Sequence, residues 1–284
     1  MAQPLAGTVG VIGGGTMGSG IVHVLLASGY QAALVEMDEE ALAQARRRIE
    51  DSLGKAARRG KLQDEPGQVL ARLTATTELA DLADAAVVIE SVPENMELKK
   101  SLLRRVEAHL DDTAVVASNT SSLSIAELAD GLRRPERVLG LHFFNPVPVS
   151  ALVEIAVTDQ TGRPARETAR SLAENLGKEI VEVRDSPGFA TSRLGVLLGL
   201  EAVRMVESGV ADPADIDRAM ELGYRHPMGP LRLTDLVGLD VRLGIADYLH
   251  ATLGPRFEPP ALMRRMVQEG KLGKKSGQGF YPWP

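Results

Sequence analysis

His142 and Glu154 lie twelve residues apart, separated by a proline-stiffened stretch, Phe143-Phe144-Asn145-Pro146-Val147-Pro148. Pro146 and Pro148 fix φ and remove two backbone donors, so an extended, bent loop is expected here between two short apolar runs. Such a bend can bring Glu154 back beside His142. A carboxylate on one ring nitrogen sets which tautomer the other nitrogen presents, and it stabilises the imidazolium formed when the ring takes a proton. The chemistry would be that of a general base with its orienting partner. A satisfied core histidine beside two phenylalanines is the bland alternative, and for the pair in isolation it is the better reading. The rest of the chain shifts the balance.

The elements that must position this pair begin at the other end of the sequence. Thr8-Val9-Gly10-Val11-Ile12 is a β-branched apolar run that breaks into Gly13-Gly14-Gly15-Thr16-Met17-Gly18 and continues as the apolar helical pattern Ile21–Ala27. Gly13, Gly15 and Gly18 fit the G-x-G-x-x-G spacing: the first permits the turn, the second lets backbone approach a pyrophosphate, and the third lets helix and strand pack closely. Thr16 and Met17 open the helix, whose free N–H groups face the phosphates. A second strand, Ala32–Val35, ends in Glu36, placed to accept hydrogen bonds from ribose hydroxyls. Met37 and Asp38 follow with no arginine, so a 2′-phosphate would be repelled and NAD is expected over NADP. His23 falls on the apolar helix and reads as packing. Further strands are expected over 85–90 and 113–118, separated by a charged helix from Glu94 to Leu110. Strands alternating with helices predict an α/β fold with a Rossmann-type, doubly wound parallel sheet that binds ligand at its carboxyl edge. Glu94, Lys99, Asn119, Thr120, Ser121 and Ser122 fall there. Helix capping explains Ser124 with Glu127, and fits Ser121 less well.

Composition narrows the function. The 284 residues are 44% apolar and 25% charged, which suits two globular domains. Zero cysteines exclude disulfides, a thiol nucleophile and thiolate metal sites. A formal charge of −6 argues against nucleic-acid binding, and five histidines with no close spacing to one another provide no metal constellation. No apolar run is long enough to cross a bilayer and no charged leader precedes the first strand, so a cytoplasmic protein, or a processed organellar one, is expected. Between the second and third expected strands lies a basic helical region, 46–61, with Arg46, Arg47, Arg48, Lys55, Arg58, Arg59 and Lys61 against only Glu50 and Asp51. Most of these read as a solvated helix face; a clamp for a polyanionic ligand tail is the sharper reading.

Five blocks then occur in one order: the glycine turn with Ser118-Asn119-Thr120-Ser121-Ser122, the His-Phe-Phe-Asn-Pro stretch at 142, Pro187-Gly188-Phe189, Pro227-Met228-Gly229-Pro230, and Gly273–Tyr281. Together, over nearly the whole chain, they resemble the short-chain L-3-hydroxyacyl-CoA dehydrogenases, in particular the bacterial 3-hydroxybutyryl-CoA type. The resemblance implies reversible NAD-dependent oxidation of a (3S)-3-hydroxyacyl-CoA to the 3-ketoacyl-CoA. It implies His142 as the base, Glu154 as its orienting partner and Ser121 as a hydrogen-bond donor to the substrate oxygen. Glu94, Lys99, Asn145 and Lys275 would lie near the cofactor, and Ser52 and Arg59, with Lys55 as a weaker neighbour, against the CoA portion. One departure stands out: the family pattern has asparagine before Arg193, and Ser192 occupies that position. An amide lost from the substrate carbonyl would cost ~2–4 kcal/mol of transition-state stabilisation if nothing replaced it.

From residue 185 the strand-like runs stop and helical patterns follow: one through Leu194, Leu200 and Val206, one opened by Asp212-Pro213 as N-cap and N1, and one from Leu231 through Leu249. Two domains are therefore expected, 1–184 for NAD and 185–284 all-helical, the latter apolar on more than one face and suited to a homodimer interface. Asp235 and Asp240 read as structural or exposed polar groups, and Trp283 has no assigned role. The competing functions are a dehydrogenase of a non-CoA hydroxy acid and an NAD-binding structural or regulatory protein that has lost turnover. A serine hydrolase on Ser121 fails for want of a G-x-S-x-G elbow.

Overall fold

Short β-branched runs and helices with one apolar stripe alternate through the first two thirds of the chain. The computed structural model describes residues 7–284. They form two units, one ending at Asp185 and the other beginning at Ser186. The first contains β1 (Thr8–Ile12), α1 (Thr16–Ala27), β2 (Ala32–Val35), α2 (Glu39–Arg58), α3 (Pro66–Leu70), β3 (Leu73–Thr76), β4 (Ala85–Glu90), α4 (Met96–Glu107), β5 (Val115–Ser118), α5 (Ile125–Ala129), β6 (Val138–Phe143), β7 (Leu152–Val157), α6 (Arg163–Asn175) and β8 (Glu179–Arg184).

The strands make one sheet in the order β3-β2-β1-β4-β5-β6-β7-β8, in which only the β6–β7 pair is antiparallel. Order reverses between β1 and β4, and a crevice at the carboxyl ends of those two strands is where such sheets take ligands. β1, β2, β4 and β5 are apolar and almost wholly buried, as strands covered on both faces must be. α2 buries Leu42, Ala45, Ile49 and Leu53, one stripe at helical spacing, and turns its arginines outward.

Two parts of the sheet go beyond the sequence reading. β3 lies in the connection between the second and third expected strands, past the basic helical region; it is a four-residue edge strand with no fully buried residue, too short and too polar to announce itself. The apolar runs flanking the prolines, which carry no element type in the sequence, are strands joined by the bent loop expected between them, and they pair antiparallel with His142 opposite Glu154. Asp185 accepts from Ile125 N–H and Ala126 N–H, and so caps α5 together with Ser124.

The second unit contains α7 (Thr191–Glu207), α8 (Pro213–Tyr224), α9 (Pro230–Val237), α10 (Leu239–Leu253) and α11 (Ala261–Gln268) around Val196, Leu200, Val203, Ile216, Leu231, Ala246, Leu249, Phe257 and Met263. The expected single helix over 231–249 is broken at Gly238, whose φ of 109° no other residue type adopts readily. Asp212 does stand at the N-cap of α8, with Pro213 at N1, but its side chain makes no capping bond. Asp235 and Trp283 acquire roles here: fully buried Asp235 accepts from Phe280 N–H and Tyr281 N–H, and from the Trp283 indole at 2.9 Å. A Cβ at Gly279 would fall 2.1 Å from the Asp235 carboxylate, so glycine is required for the C-terminal strap to close. No described helix is long and apolar enough to cross a membrane.

Candidate active site

At the carboxyl end of β1 the glycines are dictated by contact. Gly13 has φ of 91°, and a Cβ on Gly18 would sit 1.7 Å from the Gly13 carbonyl. Gly15, the N-cap of α1, faces open space, and no side chain caps the helix behind it. The uncapped N–H groups of the first turn, at Thr16, Met17 and Gly18, beside the open space at Gly15, fit the pyrophosphate of a dinucleotide. Glu36, at the end of β2, accepts from Gly14 N–H at 2.6 Å, which places its carboxylate beside the turn. Arg48 donates to the Gly14 carbonyl at 3.3 Å. The sequence reading left Arg48 in a charge run; its spacing from buried Ala45, which packs on Gly14, is the signal that it faces the turn.

At the ends of β4 and β5 a carboxylate gathers the polar loop. Glu94 Oε1 accepts from Thr120 Oγ1 at 2.6 Å, from Ser121 N–H at 3.0 Å and from the Ser121 hydroxyl at 3.3 Å. Lys99 is 1% exposed, and its ammonium lies 2.7 Å from Glu90 and 3.4 Å from Glu94. Glu90 is itself fully buried and also accepts from Ser118. Buried charges persist only when paired and hydrogen-bonded, so Lys99 here braces two carboxylates. Glu90 was missed in the sequence; a carboxylate closing an apolar strand was its only mark. Asn119 ties the strand ends together, accepting from Phe143 N–H at 2.9 Å and donating to the Ser91 hydroxyl.

His142 and Glu154 meet across the β6–β7 pair, Nδ1 to Oε2 at 2.9 Å, with Glu154 fully buried. A carboxylate can only accept, so Nδ1 is the donor, and in a neutral ring Nε2 is then the acceptor nitrogen. The Phe144 ring lies 4.3 Å from the imidazole, centroid to centroid. This arrangement can take a proton at Nε2 and hold the resulting charge.

Asn145 is exposed just beyond β6, and Lys55 and Arg59 are exposed on the last turn and C-cap of α2. Ser52 is half-buried and its hydroxyl pairs with His23 Nδ1 at 2.7 Å. His23 is buried, and burial, with the Lys178 charge nearby, pushes its pKa down to about 4. In the second unit, Ser192 stands in the first turn of α7 and Lys275 is ion-paired with Asp240. Arg193, beside Ser192, donates to the Pro187 carbonyl and the Ser186 hydroxyl.

A sheet whose order reverses beside a glycine turn and an uncapped helix start defines a dinucleotide-binding domain. The chain belongs to the 3-hydroxyacyl-CoA dehydrogenase family: residues 8–186 match that family's NAD-binding domain and residues 188–283 its C-terminal domain. It is an NAD-dependent oxidoreductase of that family. Among its relatives, a probable 3-hydroxybutyryl-CoA dehydrogenase of Deinococcus radiodurans is 43% identical, over 96% of this chain and 99% of that protein. The crystal structure of FadB2 from Mycobacterium tuberculosis superposes with a TM-score of 0.94 at 45% identity, covering 97% of this chain and 98% of that one. That of the (S)-3-hydroxybutyryl-CoA dehydrogenase PaaH1 from Ralstonia eutropha gives 0.91 at 37% identity, covering 98% and 99%.

Proposed function

We propose that the protein interconverts (3S)-3-hydroxyacyl-CoA and 3-ketoacyl-CoA with NAD, with 3-hydroxybutyryl-CoA as its main substrate and His142 as the general base. The observation that carries this reading is the buried His142–Glu154 pair, 2.9 Å apart, on a NAD-binding sheet. The names of the relatives at 43% and 45% identity support the substrate.

In the oxidation direction, Nε2 of His142 removes the proton of the C3 hydroxyl while Glu154 stabilises the imidazolium. The Ser121 hydroxyl, which donates to Glu94 here, would turn its single O–H to the same substrate oxygen. Bound NAD supplies the acceptor for the hydride that leaves C3. The turn from Gly13 through Gly15, Thr16, Met17 and Gly18 would hold its pyrophosphate, and Glu36 would accept from its ribose hydroxyls. Glu94 and Asn145 would border the cofactor, Lys99 would serve them from behind by holding Glu94, and Lys275 is assigned to the cofactor on the family resemblance alone. Ser52, Arg59 and Lys55 would receive the CoA portion, and Ser192 is assigned to the substrate carbonyl on the family resemblance alone. A homodimer is part of the proposal: Leu194, Leu222 and Tyr224 are 67%, 71% and 76% exposed on α7 and α8, an apolar display suited to a second copy. So is a cytoplasmic location, which suits an enzyme of CoA thioesters.

The test is oxidation of NADH or NADPH with acetoacetyl-CoA, longer 3-ketoacyl-CoAs and free acetoacetate, with His142→Gln as the control. NADH with the short thioester should give the highest kcat/KM and the variant almost none. Equal rates with the free acid would refute the substrate class, and an active variant the base.

A further inference from the structure

The loop joining His142 to Glu154 is gripped by a residue that lies outside every motif. Residues 144–151 connect β6 to β7, and Pro146 and Pro148 contribute no N–H to this segment. Val149 N–H and Ser150 N–H both turn back to the Pro146 carbonyl. The carbonyls of Val147 and Ser150 are instead taken by the Lys178 ammonium, at 2.7 and 2.6 Å. Lys178 sits between α6 and β8, and the next residue, Glu179, donates its N–H to the Ala151 carbonyl. Half-buried, this ammonium is pushed below the usual lysine range by desolvation. Two carbonyls three residues apart, bound by one cation, fix the curvature of the loop. Val147 is 2% exposed and packs on α1 at Gly20, where a Cβ would come within 3.0 Å of it. The loop is thus tied to the helix that starts at the glycine turn.

We propose that Lys178 is a positioning residue for the dehydrogenase reaction: by binding the Val147 and Ser150 carbonyls it sets the course of residues 144–151, and with it the placing of Asn145 and the His142–Glu154 pair relative to α1. The proposal rests on the reading of His142 as the base. Its effect should fall on the chemical step, because small misplacements of a reacting group cost rate rather than cofactor affinity.

The test compares the full-length protein with Lys178→Met, which keeps the stem and removes the donors, and with Lys178→Arg, which restores donors. NADH affinity is read by fluorescence titration, kcat and KM with 3-hydroxybutyryl-CoA, and the isotope effect on kcat with substrate deuterated at C3. Lys178→Met should lower kcat on the order of 10- to 100-fold, leave NADH affinity within about threefold, and raise the isotope effect as hydride transfer becomes the slow step. Lys178→Arg should recover most of the loss. A lysine that merely stabilised the fold would lower Tm and leave kcat and the isotope effect of the folded enzyme unchanged; that result overturns the proposal. If Lys178→Met does not fold, Gly20→Ala, which presses on Val147, decides by the same readouts. His142→Gln run alongside separates the premise: an active variant overturns base and proposal together, whereas an inactive one beside an unchanged Lys178→Met overturns the role of Lys178 alone.

Discussion

Replacing Glu154 by glutamine changes the proposed proton-transfer pair at one atom. The side chain is fully buried and accepts from His142 Nδ1 at 2.9 Å, and glutamine has the same size, so packing is preserved and no buried charge is stranded. Two things are lost. The bond ceases to be charge-assisted; hydrogen bonds to charged groups contribute about 1.5–3 kcal/mol, or roughly 10- to 150-fold in rate if that stabilisation is realised when the imidazolium forms. The glutamine amide can also donate to Nδ1, which would put the proton on Nε2 and remove the base; in a serine protease triad the equivalent swap lowers kcat by about 10⁴. Glu154→Gln should therefore lower kcat at pH 7 by between roughly 10- and 10⁴-fold, with KM changed little. Steady-state oxidation of NADH by acetoacetyl-CoA measures it, with Tm as the check on folding. A well-folded variant retaining kcat within a factor of about three would refute the reasoning, since the pair would then be mere core packing.

Three other outcomes are expected. His23 binds a proton at about 4 in the folded state against 6.5 when unfolded, so the unfolded chain is favoured as pH falls through that window; on the order of 3 kcal/mol of stability, complete above pH 6.5, should be lost on reaching pH 4. Urea unfolding against pH should show a shallower slope for His23→Asn, and parallel curves would sink the attribution. Ser192→Asn, which restores the amide of the family pattern, should raise kcat by about tenfold or more if the substrate carbonyl lacks a donor; unchanged kcat and KM would show that the site does not use that position. Trp283→Phe removes the indole donor from Asp235 and should cost about 1–2 kcal/mol, a fall in Tm of a few degrees with cofactor affinity retained; an unchanged Tm would mean the strap is held without it.

Strands built from one uninterrupted apolar run were legible in the chain: β1, β2 and β4 have the expected bounds, because residues buried on both faces must be apolar throughout. The glycine turn was equally plain, since Gly13 and Gly18 answer to contacts within a few residues of themselves. β3 and β8 were not, because edge strands with partly exposed residues carry little periodic signal. Nor was the break at Gly238, where the apolar pattern runs on through a glycine of positive φ.

What the sequence determined by itself was local: the alternation of the buried strands with helices, the glycine turn, the acidic Glu36 and the presence of a histidine and a carboxylate near two prolines. Tertiary structure alone decided the partners. Register across an antiparallel pair put Glu154 opposite His142, burial joined Lys99 to Glu90, and the return of the chain through α6 brought Lys178 to the carbonyls of a proline-rich loop. Composition and spacing state which groups exist, but a charge or donor is assigned its partner only when folding removes water and leaves one group within reach.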